Sequence, residues 1–455
     1  MDVNSGAVHV VDEMVYDMIQ LLDAEFLARS FDGKVAEKLE KVYPAAVFAP
    51  LEARFGRDEL EEAYGEIYEM YDNGQLFTAD DYEQFADMMV SAPIKAMCLN
   101  VAHDCNLRCS YCFASTGDFG GERKLMTPEV GKKAIDYLLK YSGDRHNLEM
   151  DFFGGEPLMN FETVKKIVEY ARSQEPVYHK KFRFTITTNG MLLTDDKIDF
   201  INREMSNVVL SIDGRKEVND RMRPRVDGKG SYDKIIPMYK KLVDQRGEKE
   251  YYVRGTYTKY NLDFSDDVFA LLDAGFDQIS VEPVIADAEE PYAITEADLP
   301  RIFEEYERLM QKILDYEATG KKFNFFHFML DLDQGPCAIK RLRGCGCGNE
   351  YVAITPDGDI YPCHQFVGQE EFLMGNVDEG ITKPEIAEEF RGCSVYSKES
   401  CRTCFARFYC SGGCMANSYK FHNTIHDTYE VSCEMERKRV ECAIMIKAAL
   451  ADEEQ

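Results

Sequence analysis

Between about residues 95 and 320 the chain repeats one pattern: a short apolar run, a turn, then a longer amphipathic stretch. Apolar runs at 94–102, 148–153, 182–188, 207–212, 251–258 and 278–284 have the length and composition of buried strands. Between them, residues 161–172, 196–205, 231–245, 265–274 and 296–317 set apolar side chains at three- and four-residue spacing, as helices with one buried face do. Strand–helix alternation of this kind predicts right-handed βαβ units around a parallel sheet. Six units make an α/β partial (β/α)6 barrel of TIM-like type, with its chemistry at the C-terminal ends of the strands.

The flanks read differently. Residues 1–90 begin β-rich, with Gly6 in a turn before an extended 8–11, and continue into helical 13–22 and 60–71. The turn signal Asn73-Gly74 then leads to an extended 75–78. This order predicts a winged-helix-like module; a structural cap on the barrel is the plainer alternative. Beyond residue 320, glycines, cysteines and short strands dominate. Residues 353–355 and 359–361 flank Pro356-Asp357-Gly358 as a hairpin whose second strand delivers Cys363, and a helix over 434–449 closes the chain. The expected domains are therefore 1–90, 91–320 and 321–455.

Composition narrows the function. With 45% hydrophobic residues in 455, the chain can bury more than one core. A net charge of −29 argues against nucleic acid or an anionic membrane as the main partner, and the acidic first 90 residues make DNA reading by the N-terminal module unlikely. Neither a signal peptide nor an apolar run of about 18 residues is found, so a cytoplasmic protein is expected. In that compartment fifteen cysteines read as metal ligands rather than disulfides. Four lie between Cys98 and Cys112, none in the next 224 residues, and eleven between Cys337 and Cys442, which marks two metal-binding zones.

The first zone is Cys105-x3-Cys109-x2-Cys112, directly after the first strand. Three thiolates leave one iron of a [4Fe–4S] cluster free to bind a substrate, whereas structural zinc wants four ligands and Cys98, inside the strand, makes a poor fourth. With Tyr111 just before the last cysteine, this run resembles the signature of the radical S-adenosylmethionine (SAM) superfamily. The resemblance implies that SAM chelates the open iron through its amino and carboxylate groups. One electron then cleaves it to methionine and a 5′-deoxyadenosyl radical. Phe153-Gly154-Gly155-Glu156-Pro157 ends the second strand; its glycines let the backbone approach a ligand and Glu156 can accept from an ammonium, which resembles the family's SAM amino-group site. Thr188-Asn189-Gly190 and Ser211-Ile212-Asp213-Gly214 end strands three and four and resemble positions near the SAM ribose and carboxylate, which brings Asn189, Ser211 and Asp213 into the site. Arg221 and Arg223 are either partners of the SAM carboxylate or solvated surface charge.

The second zone reads Gly358-x4-Cys363, Cys401-x2-Cys404-x5-Cys410-x3-Cys414, then Cys433. It resembles the SPASM domain, which carries two auxiliary [4Fe–4S] clusters in peptide-modifying radical SAM enzymes. That resemblance implies one auxiliary cluster on Cys345, Cys363 and Cys414 and another on Cys401, Cys404, Cys410 and Cys433, three clusters in all. The chain departs from the pattern at Cys345-Gly346-Cys347, a tight pair where the family has well-spaced cysteines. Cys347 is either the fourth ligand or free; the crowding of so short a chelate favours Cys345 as ligand and Cys347 as dispensable. Cys337, Cys393 and Cys442 have no place in the motif and read as buried thiols.

Taken whole, the chain resembles thioether-forming maturases of the SCIFF (six cysteines in forty-five residues) type, within the sactipeptide/ranthipeptide class of RiPP maturases. The Asp2-Val3-x-Ser5-Gly6-Ala7-Val8-His9 stretch resembles their winged-helix precursor-peptide recognition element, which grips a leader by strand addition. The resemblance implies a Cys-rich precursor peptide with a leader as partner and a flavodoxin- or ferredoxin-like electron donor. The implied reaction joins a substrate Cys sulfur to a Thr or similar residue. A sulfatase-type maturase forming formylglycine is the rival enzyme, and a zinc-stapled peptide-binding scaffold is the rival of another class.

Overall fold

The computed structural model describes residues 1–30, 39–86, 93–332 and 341–453. Three helices open the chain: α1 (Glu13–Ser30), α2 (Ala45–Phe55) and α3 (Arg57–Asp72). On α3, Leu60, Ala63, Tyr64 and Ile67 recur at helical spacing and are buried against Met18 and Leu22 of α1 and Phe48 of α2, giving this region its own apolar cluster. The β-rich start is not found: residues 1–12 hold no strand, and at 75–78 a φ of +51° at Phe77 breaks the extension. Side chains rather than a backbone ladder join the two segments. Thr78 N donates to Asp2 Oδ2 at 3.1 Å, Asn4 Nδ2 donates to the Thr78 carbonyl at 2.7 Å, and His9 Nε2 lies 3.0 Å from the Gln75 carbonyl. Among the described residues there is accordingly no strand to form a wing.

The barrel follows as predicted. Strands β1 (Ala96–Ala102), β2 (Asn147–Gly154), β3 (Lys181–Thr188), β4 (Asn207–Ser211), β5 (Glu250–Tyr257), β6 (Gln278–Pro283) and a short β7 (Asn324–Phe325) lie side by side in that order, all parallel. Between them run α4 (Pro128–Tyr141), α5 (Phe161–Tyr178), α6 (Asp195–Glu204), α7 (Lys216–Met222), α8 (Tyr232–Asp244), α9 (Phe264–Asp273) and α10 (Leu299–Glu317). Local chemistry sets their ends: α4 starts where the Thr127 side chain accepts from Val130 N and Pro128 takes the first helical position. Strand alternation sends Met150, Phe152, Phe182, Phe184 and Ile186 into the sheet–helix core, while the other faces of β2–β6 point into the barrel.

The C-terminal region completes the sheet. Strand β8 (Tyr351–Ile354) pairs parallel with β1 on the side away from β2, so Met97 faces both Met150 and Val352. The hairpin turn then gives β9 (Asp359–Tyr361), followed by antiparallel β10 (Gly375–Asn376) and β11 (Gly380–Ile381). The barrel is open, because β7 and β11 are the two edges of the eleven-stranded sheet. Helices α11 (Pro384–Gly392), α12 (Met415–His422) and α13 (Glu430–Glu453) follow, and α13 packs along α10. One continuous core therefore joins the barrel to the cysteine-rich region. Among the described residues no helix is long and apolar enough to cross a membrane.

Candidate active site

The C-terminal ends of β1–β6 open into a cavity of about 1220 Å³. Cys105, Cys109 and Cys112, on the loop after β1, line it, and so do Cys410, Cys414 and Cys433. One space thus touches all three cysteine groups singled out in the sequence.

The first group is held by its backbone. Asp104 Oδ1 accepts from Cys105 N at 2.8 Å, Leu107 N donates to Cys105 Sγ at 3.4 Å, and Arg108 caps the carbonyls of Cys105 and Leu107 at 2.6 and 2.7 Å. Burial pushes the thiols of Cys105 and Cys109 up to about 12 and 11. Three thiols facing one cavity suit a cationic iron centre, which would hold them as thiolates.

The turn after β2 lies directly against this loop. Gly155 N donates to the Ala102 carbonyl at 2.7 Å and Glu156 N to the Asp104 carbonyl at 2.9 Å. A Cβ on Gly155 would stand 2.2 Å from Asp104 O, so only glycine permits the approach. Glu156 is buried, and its carboxylate accepts from Leu158 N, Thr188 Oγ1 and Asn189 N at 3.0, 2.7 and 2.8 Å. Burial raises its pKa against those bonds. It braces the ends of β2 and β3 while still lining the cavity. Asn189 reaches back to Asn106 Oδ1 at 2.8 Å and Cys105 Sγ at 3.6 Å, and Ser211 lines the wall beside it.

Asp213 lies elsewhere. Fully buried and outside the cavity lining, it accepts from Tyr111 Oη at 2.8 and 2.7 Å and from Thr256 N at 3.1 Å; burial pushes it up to about 6. It fixes the tyrosine between Cys109 and Cys112 from behind. The two arginines also separate. Arg221 sits over the Tyr260 ring, 5.5 Å from its centroid, whereas Arg223 is buried, lines the cavity and donates to Tyr111 Oη at 2.9 Å. Surface charge describes the first and not the second. Arg223 Nε has no hydrogen-bond partner among the described residues.

The other cysteines form two sets. Cys347 is buried, and its thiol donates to Met415 Sδ at 3.7 Å. Cys345 and Cys363 beside it, together with burial, hold its thiol well up, while Cys345 next to Cys347 is drawn down to about 6. Cys414 feels the charges of Cys363 and Cys345, so it faces this set. Cys401, Cys404, Cys410 and Cys433 are likewise mutual electrostatic neighbours, with Cys433 supplied by the first turn of α13. Among the described residues no three or more His, Cys, Asp or Glu side chains close tightly enough for a single metal ion. Cys98, Cys393 and Cys442 are buried outside these sets; Cys337 lies outside the described residues.

Sequence reading missed further lining residues: Arg254 on β5, Glu282 on β6, His327 after β7, His364 after the hairpin, whose ring lies 4.9 Å from that of Phe153, and Arg439 on α13. The strand-end position of Glu282 was the available signal; His327 and Arg439 had none.

A profile of the radical SAM superfamily matches residues 99–258, and one of the SPASM iron–sulfur cluster-binding domain matches 345–405. An uncharacterized protein of Methanocaldococcus jannaschii is 27% identical over 312 residues, 67% of this chain and 96% of its own. The cysteine-type anaerobic sulfatase-maturating enzyme of Clostridium novyi is 25% identical over 352 residues, 73% of this chain and 90% of its own. The structure of native anSMEcpe with bound AdoMet and Cp18Cys peptide superposes with a TM-score of 0.65 at 18% identity, covering 80% of this chain and 100% of its own.

Proposed function

From a chain that carries a radical SAM domain and a SPASM iron–sulfur domain, we propose a maturase that installs Cys-to-Thr or similar thioethers in a ribosomally made, Cys-rich precursor peptide. The observation that carries this reading is the single cavity reaching from Cys105, Cys109 and Cys112 to Cys414, Cys410 and Cys433. Its volume and open mouth suit a peptide segment better than a small metabolite. A solved structure of the same fold binds a peptide together with AdoMet, which supports a peptide substrate.

In this reading Cys105, Cys109 and Cys112 hold one [4Fe–4S] cluster, and Cys401, Cys404, Cys410 and Cys433 hold another. A third sits on Cys345, Cys363 and Cys414, with Cys347 as its fourth thiolate. The electrostatic closeness of buried Cys347 to Cys345 and Cys363 supports that assignment over a spare thiol. When bound, the first cluster and SAM supply a 5′-deoxyadenosyl radical. The Gly154–Gly155 backbone, Asn189, Ser211 and the free Nε of Arg223 are the groups positioned to hold SAM. Residues 1–90, with their separate apolar cluster, serve to dock the leader.

The test is mass spectrometry of a short cysteine-rich peptide encoded beside this gene, after incubation with reconstituted enzyme, SAM and reductant. A loss of two hydrogens per crosslink, with one thiol fewer to alkylate each time, supports the proposal. Conversion of one cysteine to formylglycine instead would assign the chain to the sulfatase-type reaction of its Clostridium novyi relative.

A further inference from the structure

The cavity is also lined by a polar group that the proposed chemistry does not use. Glu282, at the end of β6, accepts from Ser280 Oγ at 3.0 Å, with Arg254 Nη2 3.4 Å and His327 Nε2 3.2 Å from its carboxylate. Burial would raise its pKa, but His327, Arg254 and Arg439 outweigh that and keep it ionised. Arg439 enters from α13. Tyr306 Oη accepts from its Nε at 2.9 Å and Glu436 from its Nη1 at 3.2 Å, which locks the guanidinium in place. Its side chain is only 8% exposed, yet Nη2 has no hydrogen-bond partner among the described residues; His327, also 8% exposed, turns Nε2 to Glu282. Both residues line the cavity.

A buried donor left unpaired beside a fixed carboxylate is costly unless a ligand completes it. A ligand that accepts from Arg439 and donates to Glu282 satisfies both groups. One residue of an extended peptide does so, because its own N–H and C=O point to the same side of the strand. We propose that Glu282, oriented by His327, and Arg439 form a backbone clamp that grips the N–H and C=O of one substrate residue, fixing which carbon faces the cluster loop without reading a side chain. The inference rests on a peptide being the substrate and adds how it is held.

The chain contains no tryptophan, so a tryptophan-bearing probe can be watched alone. The probe is Ac-Gly-Thr-Gly-Trp-Gly-Cys-NH2, which lacks any leader, titrated against iron-loaded full-length protein with SAM; the clusters quench its emission on binding. Arg439→Met and Glu282→Gln should each weaken binding about tenfold, the loss expected of a hydrogen bond to a charged group. N-methylation of the probe backbone should weaken binding to wild type and make little difference to Glu282→Gln. Wild-type protein that does not quench the probe, or variants of native iron content that bind as wild type does, would overturn the clamp. Should Arg439→Met not fold, Glu282→Gln and the N-methyl probe decide alone. Binding that behaves as predicted without any thioether product would instead discard the thioether reading and leave the clamp standing.

Discussion

Replacing Gly155 by alanine should disable the site through backbone contact alone. The added Cβ would lie 2.2 Å from Asp104 O, 2.5 Å from Asp104 C and 3.0 Å from Gly117 O, where about 3.4 Å is needed. Relief requires the two loops to separate by about 1 Å, and overpacking of that kind costs about 1–3 kcal/mol. The bond from Glu156 N to the Asp104 carbonyl is lost in the process. Asp104 immediately precedes Cys105, so the displaced segment carries the first cysteine of the cavity. A misplacement of about 1 Å near reacting groups lowers turnover on the order of 10²-fold. Chromatographic assay of 5′-deoxyadenosine and iron quantification read the effect directly. Gly121→Ala is the matched control on the neighbouring loop, since its Cβ would meet Asp118 O at an ordinary 3.6 Å and stability should hold within about 0.5 kcal/mol. A Gly155→Ala protein with wild-type iron, melting temperature and 5′-deoxyadenosine formation would show that the two loops do not set the site.

Other consequences can be checked separately. Arg223→Met, which removes the free Nε beside the cysteine loop, should raise the KM for SAM about tenfold; an unchanged KM would place SAM elsewhere. Cys347→Ala leaves three thiolates, as the first cluster has, so iron content should stay at about twelve per chain while one iron exchanges its ligand and the cluster's EPR signal changes; an unchanged spectrum would return Cys347 to a spare thiol. Burial raises Asp151 from 3.8 to about 6, so its native state binds the proton more tightly than the unfolded chain. The stabilisation is present below about pH 4 and is lost as pH rises through 6, on the order of 3 kcal/mol. Melting curves of the metal-free protein from pH 4 to 7.5 should therefore fall more steeply for wild type than for Asp151→Asn; parallel curves would contradict this. Asp80→Ala should destabilise the C-terminal cysteine run from a distance, because the buried Arg407 between Cys404 and Cys410 donates to Asp80 at 2.8 Å and to Asn4 at 2.7 Å. A loss of about 3 kcal/mol is expected for breaking such a pair, and a native melting temperature would rule the contact out as a brace.

The six barrel strands were legible to within about two residues because each sets apolar residues at successive or alternate positions over a short run bounded by turns. The three cysteine groups were legible because their spacing is local in sequence. What escaped is long-range. The pairing of β8 with β1 joins residues some 250 apart, and no periodicity announces it. Glu282, His327 and Arg439 come from three elements that meet only in the folded chain. Asp213 was read toward the ligand, yet the two bonds to Tyr111 turn it behind the loop. At the N-terminus the apolar run at 8–11 suggested a strand, but the Asp2, Asn4 and His9 side chains satisfy its neighbour in place of a ladder.

The central claim is that radical chemistry starts at Cys105, Cys109 and Cys112 and acts across a cavity shared with two further clusters. Iron and 5′-deoxyadenosine, measured together in wild type and in the Cys105→Ala, Cys109→Ala, Cys112→Ala triple variant, test it most directly. Wild type should hold about twelve irons per chain after anaerobic reconstitution and cleave SAM; the variant should hold about eight and form no 5′-deoxyadenosine. A triple variant that still forms 5′-deoxyadenosine at the wild-type rate would contradict the account.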